Sequence, residues 1–203
     1  DESDGSLVKF KPKIGLITNL ELDHTDHYEN LQELISTFKI FAKGCEKVIA
    51  NNDCQNLKEN LDPDIWWSIK TKKDVHFSAL PIAMDGSQTI ADFFEDGQFI
   101  DQIKVPIPGT HNLSNTVAAI AACRHQGIQF QEIQKGLASL KCPKRRFEFL
   151  GTWKGRLIVD DYAHHPTEVL ATLKIARLIV QNKISQLPRV AKRVVVIFQP
   201  HRY

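Results

Sequence analysis

Short apolar runs alternate with segments of helical period along much of this chain, and that alternation most restricts what it can fold into. Residues 14–17 are a brief apolar run ending in Thr18-Asn19, and residues 30–42 then place Leu31, Leu34, Ile35, Phe38 and Ala42 on one helical face. Residues 47–50 read as a second strand and Asn51-Asn52-Asp53 as the turn after it. Residues 65–105 change character: short β-prone pieces split at Asp85-Gly86 and Asp96-Gly97 predict antiparallel ribbons. Beyond Pro108-Gly109 the period predicts a helix over roughly 111–125, stopped near Gly127, and another at about 130–140. The run Leu157-Ile158-Val159 reads as a buried strand. It leads to a helix over 167–180 with Val169, Leu170, Leu173, Ala176 and Val180 inward, and residues 194–198 read as a last strand. The expectation is an α/β fold, a mostly parallel sheet with an antiparallel portion. A Pro-containing basic connector, residues 141–146, marks the expected boundary between domains at 1–146 and 147–203.

Composition narrows the function classes. A formal net charge of +2 gives no strong pull toward nucleic acid or anionic membrane, and no apolar stretch approaches a membrane span. Cys45, Cys54, Cys123 and Cys142 show no C-x-x-C spacing and read as reduced thiols of a cytoplasmic protein. The chain opens on acidic, polar residues without Met and stops just after a strand-like run, which predicts a piece of a longer polypeptide.

Four clusters could carry chemistry. The densest is Asp160-Asp161-Tyr162-Ala163-His164-His165-Pro166-Thr167-Glu168, at a strand's end where Pro166 suits a first helical turn. Such strand ends are where α/β sheets bind ligands; the plain alternative is a polar turn with a helix cap. Glu21-Leu22-Asp23-His24-Thr25-Asp26-His27 follows another strand. His24 and His27 could ligate a metal, or Asp23 or Asp26 could cap a helix. Gly109-Thr110-His111-Asn112-Leu113-Ser114-Asn115 opens a helix with Asn112 and Asn115 on one face. Their amides match a purine edge and the helix N-terminus suits an anion, though a capped helix would look the same. Arg145 and Arg146 suit phosphate oxygens, or form a solvated basic linker.

Taken in order with Thr18-Asn19-Leu20-Glu21-Leu22-Asp23-His24, Arg145-Arg146-Phe147 and Phe198-Gln199-Pro200-His201-Arg202-Tyr203, these clusters resemble the Mur ligases, ATP-dependent amide-forming enzymes of peptidoglycan precursor synthesis. The strand-end motifs at 160–168 and 198–203 are most similar to the members that join L-alanine to UDP-N-acetylmuramate, with members that reattach a recycled tripeptide second. The resemblance implies a central ATP-binding domain followed by the start of a Rossmann-like C-terminal domain. It implies ATP and Mg2+ as cofactors, His24 as a magnesium ligand, and Asn112 and Asn115 at the adenine. Arg146 would meet phosphate, and Asp161 the ribose or the transferring phosphate. Tyr162, His164, His201 and Arg202 would face the muramoyl carboxylate and alanine, and Arg146, Asp161 and His164 would make up the catalytic set.

The family's phosphate loop, G-x-x-x-x-G-K-[ST], does not occur in these residues, and in the family it lies upstream. The resemblance therefore implies that these 203 residues alone are inactive and that the parent enzyme supplies the rest. Two other readings stay open: a metal-dependent hydrolase using the Asp/His clusters, and a binding module using the ribbons of 65–105.

Overall fold

The computed structural model describes residues 4–23, 26–181 and 192–200. Six strands form one sheet in chain order: β1 (Ile14–Ile17), β2 (Lys47–Asn51), β3 (Ile65–Ser68), β4 (Phe77–Met84), β5 (Thr89–Glu95) and β6 (Gln98–Val105). The helix α1 (Leu31–Gly44) joins β1 to β2, and α2 (Gln55–Asn60) joins β2 to β3, so those strands run parallel. Val48 and Ala50 of β2 pack with Ile17, Leu34, Ile35 and Leu57 on one face, while Ile49 packs with Trp67 and Val117 on the other. A strand covered on both faces must be apolar at successive positions, which is why residues 48–50 read as an unbroken run.

The helix α3 (Thr110–His125) lies across β1 to β4 and buries Leu113, Val117, Ile120 and Ala121, and α4 (Phe130–Leu137) adds Phe130, Ile133 and Leu137 to the same core. Phe93 of β5 is fully buried there, stacked on Phe130 at 5.0 Å between ring centroids. Arg124, near the end of α3, grips Glu95 through two hydrogen bonds of 2.6 and 2.9 Å, and this carboxylate raises the guanidinium's pKa. Among the described residues no helix is long and apolar enough to cross a membrane, and all four cysteines are free thiols.

Several sequence expectations change here. Residues 65–105 are not wholly antiparallel, because β3 pairs parallel with both β2 and β4. A period of two is the same in either direction. Strand direction was legible only where a tight turn was written, as at Asp96 (φ 47°) and Gly97 (φ 76°) between β5 and β6. The cap of α1 is Asn30, whose side chain accepts the Glu33 N–H at 3.1 Å, not Asp23 or Asp26. The helix expected at 130–140 ends at Leu137.

After residue 146 come an antiparallel pair, β7 (Glu148–Trp153) and β8 (Arg156–Asp160), turned through Lys154 (φ 48°) and Gly155 (φ 75°), and the helix α5 (Pro166–Gln181). The strand at 157–159 forms, but it is not buried: Ile158 and Val159 are 39% and 38% exposed. Strand side chains are buried by what packs on the faces of their sheet, and among the described residues the two-stranded β7–β8 sheet leaves Ile158 and Val159 partly open. Residues 194–198 form no strand, and Val195, Val196, Ile197 and Phe198 are exposed. An apolar run becomes a strand only when a ladder takes up its backbone groups, and no described strand pairs with this one.

Phe93→Ala should remove about 3–5 kcal/mol of stability in urea unfolding, the range for emptying a buried aromatic site. Phe99→Ala, at a position 58% exposed, should cost under about 1 kcal/mol. Equal losses would show that the β5–α4 stack is not the packing centre.

Candidate functional site

The chain leaves β1 into a segment pinned from two sides. The Asn51 side chain donates to the Thr18 carbonyl at 3.0 Å and that of Asn56 to the Leu20 carbonyl at 2.8 Å, with the Leu20 side chain buried. Glu21 and Asp23 are thereby set beyond the C-terminal end of a parallel strand, the usual ligand-facing edge of such a sheet.

The first turn of α3 is the second wall. Gly109 precedes it with φ 107° and ψ 139°, a conformation closed to residues with a side chain. A Cβ there would lie 2.9 Å from both the His111 ring and Ile175 Cδ1 of α5. Asn112 is half-buried and its amide donates to the Pro108 carbonyl at 2.7 Å, while Asn115 is exposed. The two do share a helix face, but one amide hydrogen of Asn112 is spent on its own backbone.

The connector before β7 is the third. Arg145 and Phe147 both have positive φ, 58° and 50°, a backbone cost of order 1 kcal/mol or more each. Phe147 therefore stands outside the strand, and β7 begins at the next residue, Glu148. Asp161 holds this shape: one carboxylate oxygen accepts the Phe147 N–H at 2.8 Å and the other the Ala163 N–H at 2.8 Å. The Tyr162 N–H adds a bond to the Arg145 carbonyl at 2.9 Å. The arginines are half-exposed yet partnered. Arg145 pairs with Asp160 at 3.3 Å and lies over the Tyr162 ring, and Arg146 pairs with Glu168 at 3.3 Å.

The fourth part is the β8–α5 turn. Pro166 is the first residue of α5, as its fixed φ favours. Glu168 reaches back to accept the His164 N–H at 3.2 Å. Burial alone would raise the Glu168 pKa, but that bond and the Arg146 guanidinium outweigh it and hold the carboxyl below its usual range. His164 places Nε2 4.0 Å from Asp23 and Nδ1 3.6 Å from Glu168. Glu21 receives the Thr167 hydroxyl at 2.6 Å and lies 3.8 Å from His165 Nδ1.

Arg146, Asp161, Tyr162 and His164 are thus one constellation, joined to Glu21 and Asp23. Asn112 and Asn115 stand on the same helix end as His111. That residue feels the charges of Asp161, Arg146 and Glu168. His24, His201 and Arg202 lie outside the described residues. Among the described residues no group of three or more His, Cys, Asp or Glu side chains could hold a metal ion, so the hydrolase reading gains no support from them. His27 turns its ring to Gly5 and Tyr28 instead. Sequence reading missed the Glu21–Thr167 contact, because nothing local marks a bond across 146 positions. The capping role of Glu168 was signalled by its place in the first turn of the helix.

His111 is accessible at its outer edge, but its ring lies over Gly109. Burial lowers its pKa, Asp161 and Glu168 working against that and Arg146 with it. As pH falls through about 6.5, the unfolded chain takes up this proton before the folded one does, so the folded state loses stability on acidification and regains it above that pH. His111→Gln should flatten the decline of the denaturation midpoint between about pH 7 and 5; an unchanged slope would assign the decline to other groups. Asp161→Asn should cost about 1–3 kcal/mol, because an amide can accept only one of the two N–H bonds and turns its own NH2 toward the other. Urea unfolding of the two proteins measures that loss.

Residues 2–123 match the Mur ligase middle domain and residues 145–200 the Mur ligase glutamate ligase domain. The chain is 62% identical over all 203 residues to the UDP-N-acetylmuramate–L-alanine ligase of Prochlorococcus marinus (strain MIT 9313), and covers 42% of that protein. Its fold is that of the UDP-N-acetylmuramate-alanine ligase from Thermotoga maritima, with a TM-score of 0.77 at 24% identity over 90% of this chain and 42% of that one. The MurF ligase from Thermotoga maritima, solved in complex with ADP, gives a TM-score of 0.68 at 20% identity, covering 86% and 41%. The chain spans less than half the length of these relatives. With the middle-domain pattern running through more than half of its residues, the chain belongs to the Mur ligase family.

Proposed function

We propose that this chain is part of a cytoplasmic, ATP-dependent ligase that joins L-alanine to the carboxylate of UDP-N-acetylmuramate in peptidoglycan precursor synthesis. The observation that carries the reading is the meeting of three motifs distant in sequence at one edge of the fold: the β1 loop, the first turn of α3, and the connector with the β8–α5 turn. The 62% identity to a protein of that name supports the choice of substrates, and the related MurF ligase holds ADP on the same fold. The chain covers 42% of that relative, and in this reading the full activity also needs residues outside these 203. This chain alone is expected to release no phosphate from ATP.

A carboxylate is a poor acyl donor. Bound ATP would supply the phosphoryl group that activates the muramoyl carboxylate as an acyl phosphate, leaving ADP, and the deprotonated alanine amine would then displace phosphate and lose a proton to form the amide. The described residues fit the nucleotide. Asn115 offers an exposed amide to the adenine edge, and Asn112 adds its remaining hydrogen-bonding capacity. Arg146 presents a half-exposed guanidinium to phosphate oxygens, exchanging one carboxylate partner for another anion. Asp161 keeps lone pairs for a ribose hydroxyl while it holds the connector in shape. Tyr162 and His164 line the side where the muramoyl carboxylate and alanine would enter, joined in this reading by His201 and Arg202.

Magnesium prefers oxygen ligands. The described carboxylates of the β1 loop, Glu21 and Asp23, are turned to Thr167 and His164. They make no magnesium site by themselves. His24, the ligand implied by the resemblance, lies outside the described residues.

In the full-length protein, Asn115→Ala should weaken ATP binding by about 1–3 kcal/mol, the loss when a polar partner is removed, with the unfolding midpoint unchanged. Calorimetric titration with ATP checks this, and unaltered affinity would remove Asn115 from the adenine site. If the full-length protein ligates a peptide faster than L-alanine, the tripeptide-recycling relatives describe it better.

A further inference from the structure

We infer that Glu21 is a positioning residue of the ligase reaction. Its bond to Thr167 latches the loop after β1 onto the first turn of α5, and so sets the two halves of the site against each other. The inference rests on the function proposed above, and it uses residues to which that reading gives no role.

The Thr167 hydroxyl donates to Glu21 Oε2 at 2.6 Å, the one described side-chain hydrogen bond between the residues matching the middle domain and those matching the C-terminal domain. Two charge contacts lie on either side of it: His165 Nδ1 at 3.8 Å from the same Glu21 oxygen, and His164 Nε2 at 4.0 Å from Asp23. Each partner sits on a stiff support. Glu21 follows Leu20, which is buried and tied to Asn56. Thr167 is the second residue of α5, a helix anchored at Ile175 against Gly109. From the latch a line of contacts runs through Glu168 to Arg146 on one side and along the loop to Asp23 on the other. A shift at Thr167 would therefore displace His164 and Arg146 together relative to the β1 loop. Displacements of about 1 Å at such a site cost on the order of 100-fold in rate.

Thr167 is exposed and the Glu21 side chain is 37% exposed. A contact so open to water contributes little to stability. Its loss should register in turnover and leave the melting temperature nearly unchanged, which separates a positioning role from a structural one.

The experiment uses the full-length protein with ATP, magnesium ion, L-alanine and UDP-N-acetylmuramate, and compares Thr167→Val, Glu21→Ala and the double variant with Thr167→Ser and Glu21→Gln. The last two keep a hydroxyl donor and an oxygen acceptor. Each of the first two should lower kcat about 10-fold or more, a larger loss than any in ATP affinity by calorimetry, with the melting temperature within error of the parent. The double variant should be no slower than the worse single one, and Ser and Gln should restore most of the rate. Multiplicative losses in the double variant would overturn the latch. So would full activity of both single variants, or a Gln variant as slow as Ala, which would make the charge of Glu21 its function. If the unsubstituted full-length protein ligates nothing, the proposed function fails. The latch is then judged by interdomain distance in that protein: Thr167→Val should change small-angle scattering, and an identical curve would overturn it.

Discussion

One helix carries the weight of both the core and the site. Leu113, Val117, Ile120 and Ala121 of α3 are buried against the sheet, and its last turn is fastened by the Arg124–Glu95 pair. With its body immobilised along β1 to β4, the first turn of α3 has little freedom of direction. His111, Asn112 and Asn115 are presented from a fixed edge, and Gly109 lets α5 approach that edge closely enough for Ile175 to be buried. The helix α5 is thus referenced to the core through the helix that also offers the amides proposed for the nucleotide.

Backbone strain at the connector has a visible counterweight. Arg145 and Phe147 sit in a conformation that ordinary residues avoid, and the two oxygens of Asp161 collect the N–H groups that keep the chain there. The connector is also where Arg146 leaves the backbone. A carboxylate that a sequence reading would assign wholly to ligand is therefore occupied in part with shaping the site. The same holds for Glu168, which closes the first turn of α5 and holds both Arg146 and the backbone of His164.

Charge at the site is balanced locally. Arg145 faces Asp160, Arg146 faces Glu168, and His164 and His165 face Asp23 and Glu21. These pairs are half-exposed and contribute little to stability. In the function proposed above, pairs this open to water would let Arg146 trade Glu168 for a phosphate oxygen at little cost, with solvent taking up the released carboxylate.

The sequence by itself determined the elements and their order. Residues 14–17, 30–42, 47–50 and 111–125 became strand or helix with bounds within a few residues, because each pattern is set by local burial and capping. It also determined which residue types stand at each motif, since strand end, glycine and helix start are adjacent in the chain. Only the tertiary structure decided that β3 is parallel, since direction leaves no trace in a two-residue period. It alone decided that β8 and residues 194–198 are exposed among the described residues, because burial depends on what lies alongside. And it alone decided that Glu21 meets Thr167 and that Asp161 shapes the connector, because a contact between distant residues follows from the packing of the elements that carry them.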